Sequence, residues 1–163
     1  MCMKYVNANV FCFGSVGSNL AGRAVYKASL DKVKAAKNSS GKFVIDNFDI
    51  VAFLNIRGSS EKEYSQSPLD QKKKLDFMIR LTKVDEEASK RKSYNLRQFY
   101  VDFSKPLHLQ HACFDYYERT EIIHVDKLVV DTTGKYVIKV LVKTDPNSDV
   151  YDVQVAHPIY IEP

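Results

Sequence analysis

Three of the four histidines, one of the three cysteines and several carboxylates fall in HLQHACFDYYERTEIIH, residues 108 to 124. These are the residue types that ligate zinc or carry nucleophilic catalysis. Spacing decides which of them can act together. If residues 107 to 116 are extended, successive side chains alternate, so His108 and His111 point to opposite faces and cannot chelate one ion. His111 and Cys113 share a face. Zinc needs three or four ligands, so His124 and a carboxylate such as Asp115 would have to approach from neighbouring chain. A turn at Glu118-Arg119-Thr120, with TEIIHV pairing back on the preceding strand, would bring His124 close. A cysteine hydrolase centred on His111 and Cys113 would also need an orienting group and oxyanion donors, and the sequence signals neither. No G-x-S-x-G elbow occurs. The plainer reading is a wet outward histidine and a small core thiol.

Anion chemistry has two candidate places. Gly17-Ser18-Asn19-Leu20-Ala21-Gly22-Arg23-Ala24, within the Gly14–Gly22 loop region, has the glycine separation of a phosphate loop. Arg23 and Ala24 stand where a phosphate loop has its lysine and its magnesium-binding hydroxyl, so nucleotide hydrolysis is not expected. An anion held by backbone amides there remains compatible with the pattern. The second place is a pair of basic loops. Lys72-Lys73-Lys74 and Lys90-Arg91-Lys92 flank a strand-like stretch, with Tyr94, Arg97 and Tyr100 following. Nucleic-acid binding needs cations and aromatic rings on one surface. Asp85-Glu86-Glu87 in the same loop partly cancels that field, and basic residues at strand margins also serve to discourage edge pairing.

The tyrosines offer a third possibility. Tyr94, Tyr100, Tyr116 and Tyr117 lie on or beside strands rich in polar residues. Tyrosine is a favoured interface anchor because it brings large area, few rotors and a hydroxyl, although it also packs well on half-buried sheet. The expectation is a non-enzymatic module that binds another protein or a second copy through a sheet face or edge near Tyr116-Tyr117. Nucleic-acid or anion binding is the alternative, and a metal-dependent or cysteine hydrolase the second alternative. No cofactor is expected.

The elements that position these residues follow from length and pattern. A chain of 163 residues, 45% hydrophobic and 27% charged, has the size and composition of one folded domain spanning residues 1–163. The formal net charge of +4 is too small to mark a nucleic-acid or membrane binder. No apolar run approaches the roughly 20 residues a membrane helix needs. The opening residues lack a signal-peptide core, so a cytoplasmic location is the expectation. Cys2, Cys12 and Cys113 are odd in number and widely spaced, which reads as reduced thiols. Asn38-Ser39-Ser40 matches a glycosylation triplet that matters only in a secreted protein.

Apolar residues recur mostly with period two. In KLDFMIRLTKV, Leu75, Phe77, Ile79 and Leu81 share a face. A polar turn leads to YNLRQFYVDF, where Phe99, Val101 and Phe103 alternate with Tyr100 and Asp102, so these two stretches should form a hairpin. YVNANVFCF, FDIVAFLNI, LHLQHACF, TEIIHVDKLVV, YVIKVLV and VYDVQVAHPIYI also read as strands. Pro158 lacks a ladder donor and places the last strand at an edge or bulge. AGRAVYKASLDKVKAAKN is the exception: Val25, Ala28 or Ser29, Val33 and Ala36 fall at helical spacing, which predicts a surface helix near residues 23–37. SPLDQKKK, with Pro68 at a first helical position, predicts one further short turn.

Many strands and little helix imply a mainly β, two-layer antiparallel sandwich. Asp131-Thr132-Thr133-Gly134-Lys135-Tyr136-Val137-Ile138 resembles the immunoglobulin-like tyrosine corner. The likeness covers about the last third of the chain and implies a Tyr136 hydroxyl bonded to upstream backbone. Ile138 stands where an immunoglobulin domain has its second cysteine, and the chain has no tryptophan. Uncharacterised sandwich modules of bacterial and phage proteins are similar.

Overall fold

The computed structural model describes residues 6–13, 16–18, 24–26, 29–57, 74–103, 116–143, 145 and 147–163. The described chain is mainly β. In order, the strands are β1 Val6–Phe13, β2 Val16–Ser18, β3 Ala24–Tyr26, β4 Ser29–Leu30, β5 Lys32–Lys34, β6 Ala36–Lys37, β7 Phe43–Arg57, β8 Lys74–Lys83, β9 Ser93–Asp102, β10 Tyr116–Val130, β11 Gly134–Lys143 and β12 Asp152–Glu162. One five-stranded sheet runs β10-β7-β1-β4, with β6 also on β7. The other runs β5-β12-β11-β8-β9, and β2 pairs with β3 in a separate two-stranded sheet. All pairs are antiparallel except β5 with β12, and the sheets form a curled half-barrel.

Both large sheets feed one apolar core, because each presents an alternating inner face that must be covered. Leu75, Phe77, Ile79 and Leu81 of β8 are all buried there, as their spacing implies. β7 contributes Ile50, Ala52, Leu54 and Ile56, β1 contributes Val6, Val10 and Cys12, and β11 contributes Ile138, Val140 and Val142. The expected β8–β9 hairpin is present, with Phe77 facing Phe99 in the ladder and their rings stacked at 5.2 Å. Pro158 lies on β12 opposite Val137 of β11. On the other side, β5 reaches only Tyr160–Glu162, so among the described residues Pro158 has no ladder partner there. The missing donor is therefore tolerated.

The helix expected near residues 23–37 is not formed. Residues 24–26, 29–30, 32–34 and 36–37 are short strands instead. In KVKAAK the period is two: Val33 and Ala35 are buried while Lys32, Lys34, Ala36 and Lys37 are exposed. Tyr160 N donates to Asp31 O and Ala35 N to Glu162 O, both at 2.8 Å, which ties this segment to β12. Alanine and lysine favour helix by only tenths of a kcal/mol per residue, less than the ladder and the burial of Val33 supply. Asn38 is likewise a hairpin residue rather than a helix stop. Its Oδ1 accepts from Ser40 N at 3.0 Å and Lys42 N at 2.9 Å, and Gly41 follows with φ 80° before β7 begins. The short turn expected at SPLDQKKK lies outside the described residues, apart from Lys74, which opens β8.

The chain crosses between sheets at the β10–β11 corner. Tyr136 is 1% exposed and its hydroxyl donates to Thr132 O at 2.6 Å, the upstream bond implied by the sequence. Burial pushes its phenol up to about 12. Lys83, itself buried, donates to Thr133 O and pairs with Asp85 Oδ1 at 3.0 Å. Asp85 Oδ2 accepts from Lys135 N at 3.1 Å. Asp131 N donates to the Tyr94 hydroxyl at 3.2 Å, while the Asp131 carboxylate pairs with Lys92 and, at 3.4 Å, with Lys42. Gly134 has φ 125°, and a Cβ there would meet Lys83 Nζ at 2.8 Å as well as Asp85 Oδ2. Only glycine fits that place.

Tyr136→Phe removes the donor of a part-buried hydrogen bond and leaves a desolvated ring without its polar contact to Thr132 O. We expect a loss of about 1–2 kcal/mol in urea unfolding, with an unchanged m-value. The corner also sets an acid response. Bonds from Lys135 N and the Lys83 ammonium hold the Asp85 carboxyl below its ordinary range. A lowered folded pKa gives stability that is present above about pH 4, the unfolded value, and is lost as pH falls through the folded one. Asp85→Asn should therefore flatten the acid limb of stability against pH, and equal slopes below pH 4 in both proteins would remove Asp85 from the account.

Candidate functional site

The four tyrosines do not form one patch. Tyr100 of β9 is 60% exposed, with Lys74 Nζ 3.9 Å from its ring centroid. Tyr94, on the same strand, turns inward against the core, and its hydroxyl accepts from Asp131 N. Tyr117 of β10 also packs on the core, edge to face with Phe103 at 5.4 Å. Tyr116 pairs with Arg57 in the β10–β7 ladder, and its backbone alone is described.

What β9 and β10 share is position. Among the described residues each is the end strand of its sheet. A register shift opposite Ile79 and Arg80 adds one residue to β9, so that Asn95 faces Arg80, Arg97 faces Ile79 and Leu96 lies between. Such a bulge re-aims a side chain. Here it brings Arg97 across to Glu121 of β10, Nη2 to Oε1 at 3.2 Å. Arg119 holds the other carboxylate oxygen at 2.9 Å and lies 4.7 Å over the Phe99 ring. The Glu121 side chain is 9% exposed and that of Arg97 52%. An Arg–Glu–Arg clasp thus ties the two sheet ends together, and sequence reading missed it. Its signal was parity: Tyr117, Arg119, Glu121 and Ile123 share the strand face that enters the core.

The basic residues are mostly engaged. Lys90 pairs with Glu87 at 3.2 Å, Lys92 with Asp131, and Arg91 Nε donates to Glu86 O at 3.0 Å. Lys74 sits on Tyr100 and Arg97 on Glu121. Lys73 and Arg23 lie outside the described residues.

Of the metal candidates, His124 is described, whereas His111 and Cys113 lie outside the described residues. His124 Nδ1 is 2.7 Å from Asp49 Oδ1 on the outer face of the first sheet. Among the described residues no three His, Cys, Asp or Glu side chains gather into a metal-holding group. Cys12 is fully buried, and desolvation pushes its thiol up to about 12, which removes nucleophilic thiolate.

No family model and no curated protein matches the chain. Two solved structures are similar at a low level. A β-glucosidase from Listeria innocua in complex with gluconolactone is 12% identical with a TM-score of 0.40, over 98% of this chain and 16% of that one. The structural-genomics target SoR45 is 8% identical with a TM-score of 0.38, over 99% and 90%. The chain thus spans about a sixth of the glucosidase's length. Neither likeness carries weight for function.

Glu121→Ala strands Arg119 beside Phe99 without its carboxylate. Breaking a fully buried pair costs about 3–5 kcal/mol, and the exposure of Arg97 reduces the expectation here to roughly 2 kcal/mol. Glu121→Gln should fall between wild type and Glu121→Ala in urea unfolding.

Proposed function

We propose that this chain is a non-enzymatic interaction module, immunoglobulin-like in strand order, that binds another protein or a second copy along the side formed by β9 and β10. The observation that carries this reading is that the end strands of both sheets lie together, joined by Arg97–Glu121. An end strand presents unpaired N–H and C=O groups to which an extended segment can add. Tyr100, exposed beside that edge with Lys74, supplies an anchor of the kind interfaces favour.

The immunoglobulin-like reading draws on topology. Immunoglobulin domains place strands A, B and E in one sheet and C, F and G in the other, with C′ added beside C in variable types. β1-β7-β10 and β9-β8-β11-β12 follow that order, and Tyr136 stands near the start of the strand equivalent to F. A non-enzymatic role is supported by the burial of Cys12, which raises its thiol and withholds the nucleophilic thiolate. A nucleic-acid role draws less support, because Lys90, Lys92 and Arg97 already face carboxylates. No helix among the described residues is long and apolar enough to cross a membrane. The proposal of a cytoplasmic, bacterial or phage setting draws on the cysteine usage and the sequence resemblance.

A photo-crosslinking amino acid at Tyr100 tests the reading in the native host, with Lys139 on the outer face of β11 as the control position. A crosslinked partner or second copy at 100 and not at 139 is expected. Equal yields at both, or none at 100, would sink the edge as the binding surface.

A further inference from the structure

The outward face of the first sheet carries side chains that the edge reading does not use. Ladder register puts Asn7, Asn55 and Glu118 in one row across β1, β7 and β10, and Asn9, Phe53 and Thr120 in the next. Strands lie about 4.8 Å apart and alternate residues about 7 Å apart, so these six side chains tile roughly 10 by 7 Å. They line a shallow cavity of about 200 Å³. Among them one hydrogen bond forms, from Asn55 Nδ2 to Glu118 Oε1 at a long 3.4 Å. Arg119 also borders the cavity, but its guanidinium is engaged by Glu121 on the other face of the strand. Phe53 is half-buried and edge to face with Phe11 at 6.1 Å.

We propose that this face binds a neutral carbohydrate of one or two rings. Each asparagine amide offers two donors and one acceptor, Thr120 offers both roles and Glu118 accepts. A sugar edge alternates hydroxyl donors and acceptors in the same way, and its C–H face can rest on an aromatic ring such as Phe53. Among the described residues the Arg119 charge is taken up by Glu121, which leaves the Glu118 carboxylate as the ionised group facing the cavity and disfavours anions. An apolar ligand would desolvate three amides without compensation. A peptide would need apolar pockets for its side chains, and this row holds one ring. The cavity is smaller than the ~300–1,000 Å³ of enclosing ligand sites, so binding is weak, with a dissociation constant on the order of 1 mM.

The test uses the full ¹⁵N-labelled chain and the side-chain amide resonances of Asn7, Asn9 and Asn55. Methyl β-glucoside, methyl α-mannoside, methyl β-galactoside, N-acetylglucosamine and cellobiose are titrated in turn, with glycerol as the polyol control. At least one sugar should shift these resonances saturably while glycerol does not. Phe53→Ala should weaken that binding about tenfold or more, equivalent to about 1.4 kcal/mol. If that variant does not fold, Asn9→Ala should show the same loss. The proposal is overturned if no sugar moves the amides, if glycerol moves them equally, or if neither folded variant weakens binding. Shifts that follow protein concentration alone would assign the face to a second copy and also overturn it. The crosslinking result at Tyr100 bears on a different surface and leaves this outcome independent.

Discussion

The fold depends on how the chain leaves one sheet and enters the other after β10. A corner of this kind takes backbone groups out of both ladders at the margin of the core, and each must find another partner, a bond worth about 0.5–1.5 kcal/mol. Here each group finds a partner: Thr132 O takes the Tyr136 hydroxyl, Thr133 O takes Lys83, and Asp131 N reaches Tyr94. The partners come from β8, β9 and β11, which all belong to the second sheet. The corner therefore locates the end of β10 relative to that sheet. Gly134, with its positive φ and no Cβ, lets Lys83 and Asp85 approach closely enough to do this.

A second tie lies further along the same pair of edges. Tyr94 holds the corner at one end of β9, and Arg97 holds Glu121 a few residues on. Between them sits the bulge at Leu96. Without the extra residue, strict alternation would make Arg97 and Tyr94 face opposite ways. With it, both point inward, and the two ties act on one strand. The result is that the end strands of the two described sheets are fixed side by side. Charge is the stabiliser least suited to a core, and this one is acceptable because all three members are satisfied and Arg97 keeps contact with water.

The legible parts of the sequence were those where one face is apolar and the other polar. β8 was readable because Leu75, Phe77, Ile79 and Leu81 keep parity without interruption, and Tyr136 because its turn residues have a known bond to make. β7 and β10 were harder. Asn47, with φ 51°, turns β7 so that Phe43 and Ile45 face the core on odd numbers, and Ile50, Ala52 and Leu54 on even ones. Its neighbour follows: Ile123 and Val125 give way to Leu128 and Val130. A period that changes phase inside a strand looks like two short strands or none. The segment 32–37 failed for a different reason. Alanine and lysine spaced by chance fit a helix, and the partner that makes them strand, β12, lies over a hundred residues away in sequence. The Arg97–Glu121–Arg119 clasp was hidden likewise, since a bulge is set by the partner strand.

The stretch from 108 to 124 shows how topology redistributes chemistry that sequence places together. On β10, odd positions from Tyr117 to Ile123 enter the core or the clasp, while Glu118, Thr120 and His124 stand on the opposite face. His124 meets Asp49 there, two rows along from the Phe53 and Thr120 pair. One strand thus supplies a structural ion pair on one side and a polar face with one carboxylate, Glu118, ending in a histidine, on the other. Mutations between Tyr117 and Val125 will separate by parity, because an odd residue there changes how the sheet ends are held and an even one changes only the outer face, before the phase reverses at Leu128 and Val130.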